Sequence, residues 1–173
     1  MKKQLKKNLI ERFSRQIVLK DIGILGQKKI LSAKVLVVGI GGLGCSAVEF
    51  LTRAGIGSLG IVDYDKVSLS NLHRQSLYEK SDVGKSKVLI ANKILRRINP
   101  HTKIQSYNLK LNNINFKKII NKYDYIVDGS DNFKTKFLLN DYCSKYNKIL
   151  VIGAISKFDG HIFTFNFKNK KLP

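Results

Sequence analysis

Val35-Leu-Val-Val-Gly-Ile-Gly-Gly-Leu-Gly44 sets the architecture of this chain, and Ile61-Val-Asp-Tyr-Asp65 completes its meaning. An apolar strand runs directly into a glycine-rich turn and then a helix. An acidic residue follows roughly 20 residues later, the spacing of a nucleotide-binding βαβ unit. Gly39, Gly41 and Gly42 let the backbone turn tightly and approach a phosphate closely, and Gly44 closes the motif. The helix N-terminus beyond them offers unpaired N–H groups and the positive end of a dipole to an anion. Asp63 then stands where a carboxylate accepts hydrogen bonds from ribose hydroxyls, and Asp65 either joins it or caps the following turn.

The flanking segments extend the same pattern. Residues 9–19 and 24–31 have helical spacing and read as a helical N-terminal arm. Residues 34–38 form a strand apolar on both faces, as buried parallel strands are. The glycine-loop helix spans 42–54, with Leu43, Ala47, Leu51 and Ala54 on one face and Gly55 as its stop. Further strands are expected at 59–63, 103–107, 125–128 and 149–155, and helices at 86–98, 116–121 and 133–146. The 86–98 helix turns Val88, Ala91, Leu95 and Ile98 inward, and the 133–146 helix presents Leu138 and Tyr142. In His161-Ile-Phe-Thr-Phe-Asn-Phe167, alternation puts Phe163, Phe165 and Phe167 on one face, which predicts a half-buried antiparallel strand. The fold class is α/β: a doubly wound, Rossmann-like, mainly parallel sheet with an antiparallel strand at its C-terminal end. One domain is expected over residues 1–173, with the arm at 1–33 and the core at 34–173.

Composition narrows the function classes. A chain of 173 residues supplies one proper core, and 43% hydrophobic with 25% charged residues fits a soluble globular protein. The basic start Met1-Lys-Lys-Gln-Leu-Lys-Lys-Asn8 lacks the apolar region of a signal peptide, and no apolar run is long enough for a membrane span. Cys45 and Cys143 fall inside predicted helices, so a disulfide framework is not expected and the cytoplasm is the default. Cys45 reads as a small packing residue and Cys143 as helix filler near a surface. A net charge of +20 raises the question of nucleic acid. The excess is lysine spread over every predicted surface, however, and only Lys2, Lys3, Lys6 and Lys7 cluster. No aromatic-interleaved basic stripe is present to stack bases, and such a field suits an acidic partner protein better. His101 and His161 lack a partner at ligand spacing. Gly84-Lys85-Ser86 mimics the end of a P-loop, but Glu79 stands where its first glycine belongs and no strand precedes it.

Ligands of open α/β sheets sit outside the carboxyl ends of the strands. The polar residues expected there are Asp63 and Asp65, Ser70-Asn-Leu-His-Arg-Gln75, Asp82-Val-Gly-Lys-Ser-Lys87 and Asp128-Gly-Ser-Asp-Asn132. Arg74 and Lys87 can neutralise a polyphosphate, and the Asp131 carboxylate in a turn suits Mg²⁺. A dinucleotide carries only a pyrophosphate and needs no metal, so the set favours ATP over NAD.

These residues resemble the ThiF/MoeB/HesA family, the ubiquitin-activating-enzyme-like adenylyltransferases. The matching stretches are Arg12-Phe-Ser-Arg-Gln16, Gly39-Ile-Gly-Gly-Leu-Gly44, Asp63-Tyr-Asp65, Ser70-Asn-Leu-His-Arg-Gln75, Asp82-Val-Gly-Lys-Ser-Lys87 and Asp128-Gly-Ser-Asp-Asn132, extended by Gly153-Ala154 and Asp159-Gly160. The resemblance implies that the C-terminal carboxylate of a ubiquitin-like sulfur carrier ending in Gly-Gly attacks the α-phosphorus of ATP·Mg²⁺. An acyl-adenylate and pyrophosphate result, within thiamine or molybdopterin sulfur transfer. Carried over position by position, Gly42 contacts the nucleotide and Asp63 the ribose. Ser70 belongs to the same stretch as Asn71, Arg74 and Gln75, which with Lys87 contact the phosphates; Asp131 and Asn132 complete the Mg·ATP site. Arg15 resembles an arginine that the family inserts into the other subunit's site, which implies a homodimer. His73 lines the site at most, and Arg12 is either part of that arm or an ordinary surface cation.

The family pattern normally continues where this chain reads Lys170-Lys-Leu-Pro173. The continuation holds the paired cysteines of a structural zinc, which two isolated cysteines cannot build, so zinc is not expected. It also holds strands that would cover the apolar edge near Phe163 and Phe167. A fragment, a natural short form and a decayed gene product all remain open. Two other function classes stand beside the enzyme: an ATP-binding partner subunit without turnover, and a NAD-dependent oxidoreductase, which would leave Arg74, Lys87 and Asp131 unexplained.

Overall fold

Strand β1 (Lys34–Val38) buries both of its faces, and that double burial organises everything around it. In the computed structural model, which describes residues 5–169, Val35 and Val37 join one apolar cluster while Leu36 and Val38 join the other. Alternation along a strand sends successive side chains to opposite faces, so a continuous apolar run needs helices on both sides. β2 (Ser58–Val62), β3 (Lys103–Tyr107), β4 (Tyr125–Asp128), β5 (Ile149–Ser156) and β6 (Asp159–Asn166) complete one sheet in the order β3-β2-β1-β4-β5-β6. All neighbours pair in parallel except β5 and β6, which are antiparallel. The strand order reverses at β1 and β4, so the crossovers on the two sides pack on opposite faces.

On the first face, α4 (Gly42–Ala54) and α5 (Lys87–Ile98) cover the cluster of Val48, Leu59, Ile61, Val88, Ala91 and Leu95. On the second, α6 (Asn113–Ile120) and α7 (Phe133–Lys145) cover Leu36, Phe116, Ile120, Ile126, Leu139 and Leu150. Burial at about 25 cal/mol per Å² of apolar surface makes these two clusters the main source of stability. No helix among the described residues is long and apolar enough to cross a membrane.

Several expectations shift. The arm is not one helix over 9–19 but α1 (Lys7–Arg12) and α2 (Ser14–Ile17), followed by α3 (Gly23–Ser32). Phe13 breaks the first pair because it leaves helical geometry (φ −104°, ψ 14°) to bury its ring against Gly55. Gln16 and Gln27 both donate to Ala54 O, at 2.9 and 3.1 Å, which pins the arm to the C-terminal end of α4. Residues 1–4, including Lys2 and Lys3 of the basic cluster, and 170–173 lie outside the described residues.

The buried face of α4 is Gly44, Cys45, Val48 and Thr52, one residue round from the expected Leu43–Ala47–Leu51–Ala54 stripe; Leu51 is partly buried and Leu43 exposed. Close contact at Gly44 dictates which side meets the sheet. α6 begins at Asn113, three residues before the expected start, because Asn112 and Asn115 form a capping box. On α7, Leu139 and Cys143 are fully buried and Leu138 and Tyr142 only partly, so Cys143 is core rather than near-surface filler. β6 is half-buried only toward its end: Phe165 and Phe167 pack on the second cluster, while Ile162 and Phe163 are exposed. β5 outruns its neighbour there, since residues 149–152 pair with β4 and 153–156 pair with β6 alone.

Candidate functional site

Register aligns the exits of three strands. Val38 is opposite Val62 on one side and Asp128 on the other, so Gly39, Asp63 and Gly129 leave the sheet at the same edge. Gly39 N–H donates to Val62 O and Gly129 N–H donates to Val38 O, both at 2.8 Å. The two turns then touch. Gly39 has φ +84°, and a Cβ on it would lie 2.9 Å from Gly129 O. A Cβ on Gly44 would lie 1.9 Å from Gly39 O, so only glycine lets α4 start this close to the turn it caps.

Asp63 is buried, and both of its carboxylate oxygens already serve the backbone. Oδ2 accepts from Ile40 N–H at 2.7 Å and Oδ1 from Asp65 N–H at 2.8 Å. It thereby ties the end of β2 to the glycine turn. Asp65 is the more open of the pair, and its Oδ2 lies 3.2 Å from Lys87 Nζ. A short antiparallel bridge between Lys66 and Ser86, with Lys87 N–H donating to Asp65 O at 3.1 Å, brings Lys87 there. Lys87 is 5% exposed, the one buried lysine among the described residues.

The 70–75 stretch crosses over the glycine turn. A Cβ on Gly42 would sit 3.7 Å from the Arg74 stem, and one on Gly41 would sit 3.9 Å from Gln75 Nε2. Arg74 Nη1 donates to Ser70 O at 2.9 Å and lies 2.7 Å from His73 Nε2. Gln75 is buried, and among the described residues its Oε1 has no hydrogen-bond partner. Oε1 is an acceptor, so what it lacks is a donor, such as a hydroxyl or amino group of a ligand or a water. Asn71 is occupied locally, its Oδ1 accepting from Ser68 N–H at 3.2 Å, and Ser70 Oγ lies 3.0 Å from Ser68 Oγ.

Across the turn, Asn132 caps α7 by accepting from Thr135 N–H at 2.9 Å. Asp131 is exposed, and among the described residues its carboxylate has no hydrogen bond or ion pair. No group of three or more His, Cys, Asp or Glu that could hold a metal exists among the described residues. A single carboxylate without a partner among the described residues, in a turn packed against the glycine turn, fits Mg²⁺, which keeps several waters and takes its other ligands from phosphates.

Arg15 is not brought to this edge. It is exposed on α2, whose neighbour Gln16 is fixed to Ala54 O, and α4 is about 19 Å long at 1.5 Å per residue. Arg12 docks locally, donating to Ile98 O at 2.6 Å with its guanidinium 5.9 Å from the Phe13 ring.

Two supports were not anticipated. Tyr78, buried, donates its hydroxyl to Ile40 O at 3.2 Å, and burial pushes its phenol far above the ordinary range. Burial likewise pushes the Cys45 thiol up to about 11, so this helix-start cysteine is packing, not a nucleophile. Lys136 pairs with fully buried Asp128 at 3.0 Å. Its available signal was a lysine in the i, i+3, i+7 register with Leu139 and Cys143.

The ThiF family matches residues 13–172. A sulfur carrier protein adenylyltransferase from Thermus thermophilus is 43% identical over 160 residues, covering 92% of this chain and 59% of the relative. A probable molybdopterin-synthase adenylyltransferase from Porphyra purpurea is 43% identical over 157 residues, 91% of this chain and 41% of the relative. The E. coli tRNA N6-threonylcarbamoyladenosine dehydratase TcdA, solved in complex with ATP, superposes with a TM-score of 0.83 at 28% identity, covering 91% of this chain and 65% of that one. The chain thus spans only part of the length of these relatives. The match across nearly all of its residues, over a sheet whose glycine turn, Arg74 and Asp131 turn share one edge, establishes that this chain belongs to the ThiF family.

Proposed function

We propose that this chain is the ATP-binding adenylation unit, residues 1–173 acting as one domain, of an enzyme that activates a ubiquitin-like sulfur-carrier protein. The carrier's C-terminal glycine carboxylate oxygen attacks the α-phosphorus of ATP. A new P–O bond forms, the bond to the bridging β-phosphate oxygen breaks, and pyrophosphate leaves with that electron pair. The carboxylate is already ionised, so no general base is needed. The barrier is anion meeting anion, and the task of the protein is positioning and charge stabilisation.

The observation that carries this reading is the packing of two turns and one cationic stretch around Gly39–Gly44. In this reading the nucleotide phosphates lie against Gly41 and Gly42, with Gly39 and Gly44 shaping the turn. Arg74 swings from Ser70 O and His73 onto the phosphates, Lys87 exchanges Asp65 for them, and Gln75 donates from its amide. Ser70, Asn71 and Asn132 fix the backbone of the surrounding turns. Asp63 and Asp65 face the ribose, Asp65 with the freer oxygens. Asp131 would hold Mg²⁺, which when bound offsets charge on the triphosphate. The names of the relatives, sulfur carrier and molybdopterin-synthase adenylyltransferases, support the acceptor class. Arg15 acts from a second copy of the chain, because its own arm docks at the far end of α4.

Carrier-dependent exchange of labelled pyrophosphate into ATP tests the proposal. Asp131→Ala and Arg74→Ala are each expected to remove about 2.7–4 kcal/mol of transition-state stabilisation, by analogy with loss of one oxyanion-hole donor. Both variants should retain the parental circular-dichroism spectrum. ATP binding without exchange would identify a non-catalytic partner subunit, and preference for NAD would identify an oxidoreductase; either result defeats the proposal.

A further inference from the structure

Lys136 begins on the first turn of α7, and its side chain reaches back to the end of β4 and across to β5. Its ammonium lies 3.0 Å from Asp128 Oδ2 and donates to Gly153 O at 3.2 Å. The Lys136 side chain is 19% exposed and that of Asp128 is 0% exposed. The other carboxylate oxygen, Asp128 Oδ1, accepts from Ser130 N–H at 2.8 Å and from Ser130 Oγ at 2.6 Å. One cation therefore joins the end of β4, the middle of β5 and the start of α7. The residues it encloses, 129–132, include Gly129, whose backbone meets Gly39 and Gly44, and Asp131, whose side chain has no partner among the described residues to orient it.

A buried ion pair adds little net stability over an apolar pair of the same size, so stability alone is a poor reason for this arrangement. Position is a better one. With Asn132 fixed as the cap of α7, both ends of the turn are held, and the backbone alone places the Asp131 carboxylate. We propose that Lys136 is a positioning residue that, through Asp128, holds the Asp131 turn against the glycine turn so that Asp131 can share a divalent cation with the triphosphate. The inference rests on the ATP·Mg²⁺ reading above and extends it to a residue outside the phosphate contacts. Lys136 acts on the geometry of the turn and not on the reacting atoms.

The test compares Lys136→Arg, Lys136→Met and the double variant Asp128→Asn/Lys136→Met in the full chain. Removing the ammonium alone strands a buried carboxylate, so the single variant risks misfolding for that reason. The double variant removes the charge pair together and keeps an acceptor for Ser130. Two readouts are independent of turnover: hydrogen exchange at the amides of residues 129–132, and Mn²⁺ titration by electron paramagnetic resonance with a non-hydrolysable ATP analogue present. The Met-containing variants should exchange faster at 129–132 but not in β1, and Mn²⁺ affinity should fall about tenfold, as when an outer-shell support of a metal ligand is lost. Analogue affinity without metal should stay parental, and Lys136→Arg should retain both properties. A folded double variant with parental Mn²⁺ affinity overturns the inference while leaving the ATP reading intact. Failure of the parent chain to bind the analogue overturns that reading and the inference with it.

Discussion

Gly41 and Gly44 lie three residues apart in one turn and answer to different constraints. Gly44→Ala would drive a methyl to 1.9 Å from Gly39 O, against backbone that cannot move without opening the turn. We expect a loss of about 3 kcal/mol, at the upper end of overpacking costs, read as a fall in the urea midpoint. Gly41 has φ −87° and ψ −151°, open to any residue, and its nearest neighbour would be Gln75 Nε2 at 3.9 Å. Gly41→Ala should therefore fold as the parent does yet lose ATP affinity in calorimetric titration, because the methyl stands where a phosphate approaches. The glycine pattern made these positions legible. The duties of Asp63 were not: a carboxylate at the end of β2 reads as a ribose ligand, but both oxygens also hold the turn through Ile40 and Asp65 N–H. Asp128 and Lys136 escaped for a related reason: the helical register of Lys136 with Leu139 and Cys143 marks it as inward-facing, but not that its side chain reaches back eight residues to Asp128 and across to Gly153 in β5.

At the scale of elements, most strands and helices fall where periodicity puts them, and the departures share a cause. The inner face of α4 is turned by one residue because backbone contact at Gly44 outranks the apolar stripe, and α7 buries Cys143 with Leu139. Both cysteines consequently lie on inner helix faces, where burial pushes Cys45 up to about 11 and Cys143 up to about 12. The unfolded chain ionises its thiols near 9.0, so above that pH the unfolded state binds fewer protons than the native one. The thiol contribution to stability is thus fully present below about pH 9 and is lost as pH rises toward 11 for Cys45 and 12 for Cys143. Urea midpoints measured from pH 7 to 11 should fall above pH 9, and a Cys45→Ala/Cys143→Ala variant should show a shallower fall. Equal slopes would contradict the assigned burial.

For the whole molecule, the decisive fact is which groups share an edge of the sheet. Arg74, Gln75, Lys87 and the Asp131 turn gather at the carboxyl edge, and Arg15 is held away by Phe13, Gln16 and the length of α4. If Arg15 completes the site of a second copy, two variants inactive alone should complement. Mixing Arg15→Ala with Arg74→Ala in equal amounts and allowing exchange should restore about a quarter of parental pyrophosphate exchange, since half of the dimers then carry one intact site of two. No recovery, with dimers present in sedimentation, would remove Arg15 from the site.

The order of motifs along the chain was enough to specify the doubly wound sheet, the glycine turn and the candidate nucleotide contacts. Those follow from local backbone needs: a strand apolar on both faces, glycines where a phosphate or helix must come close, a cap where a helix starts. Folding was required to assign the duties of Asp63, to reveal the Lys136–Asp128 clamp, and to separate Arg15 from its own glycine turn. Each depends on distances between segments far apart in the chain, set by how helices pack on the sheet, and no local spacing encodes them.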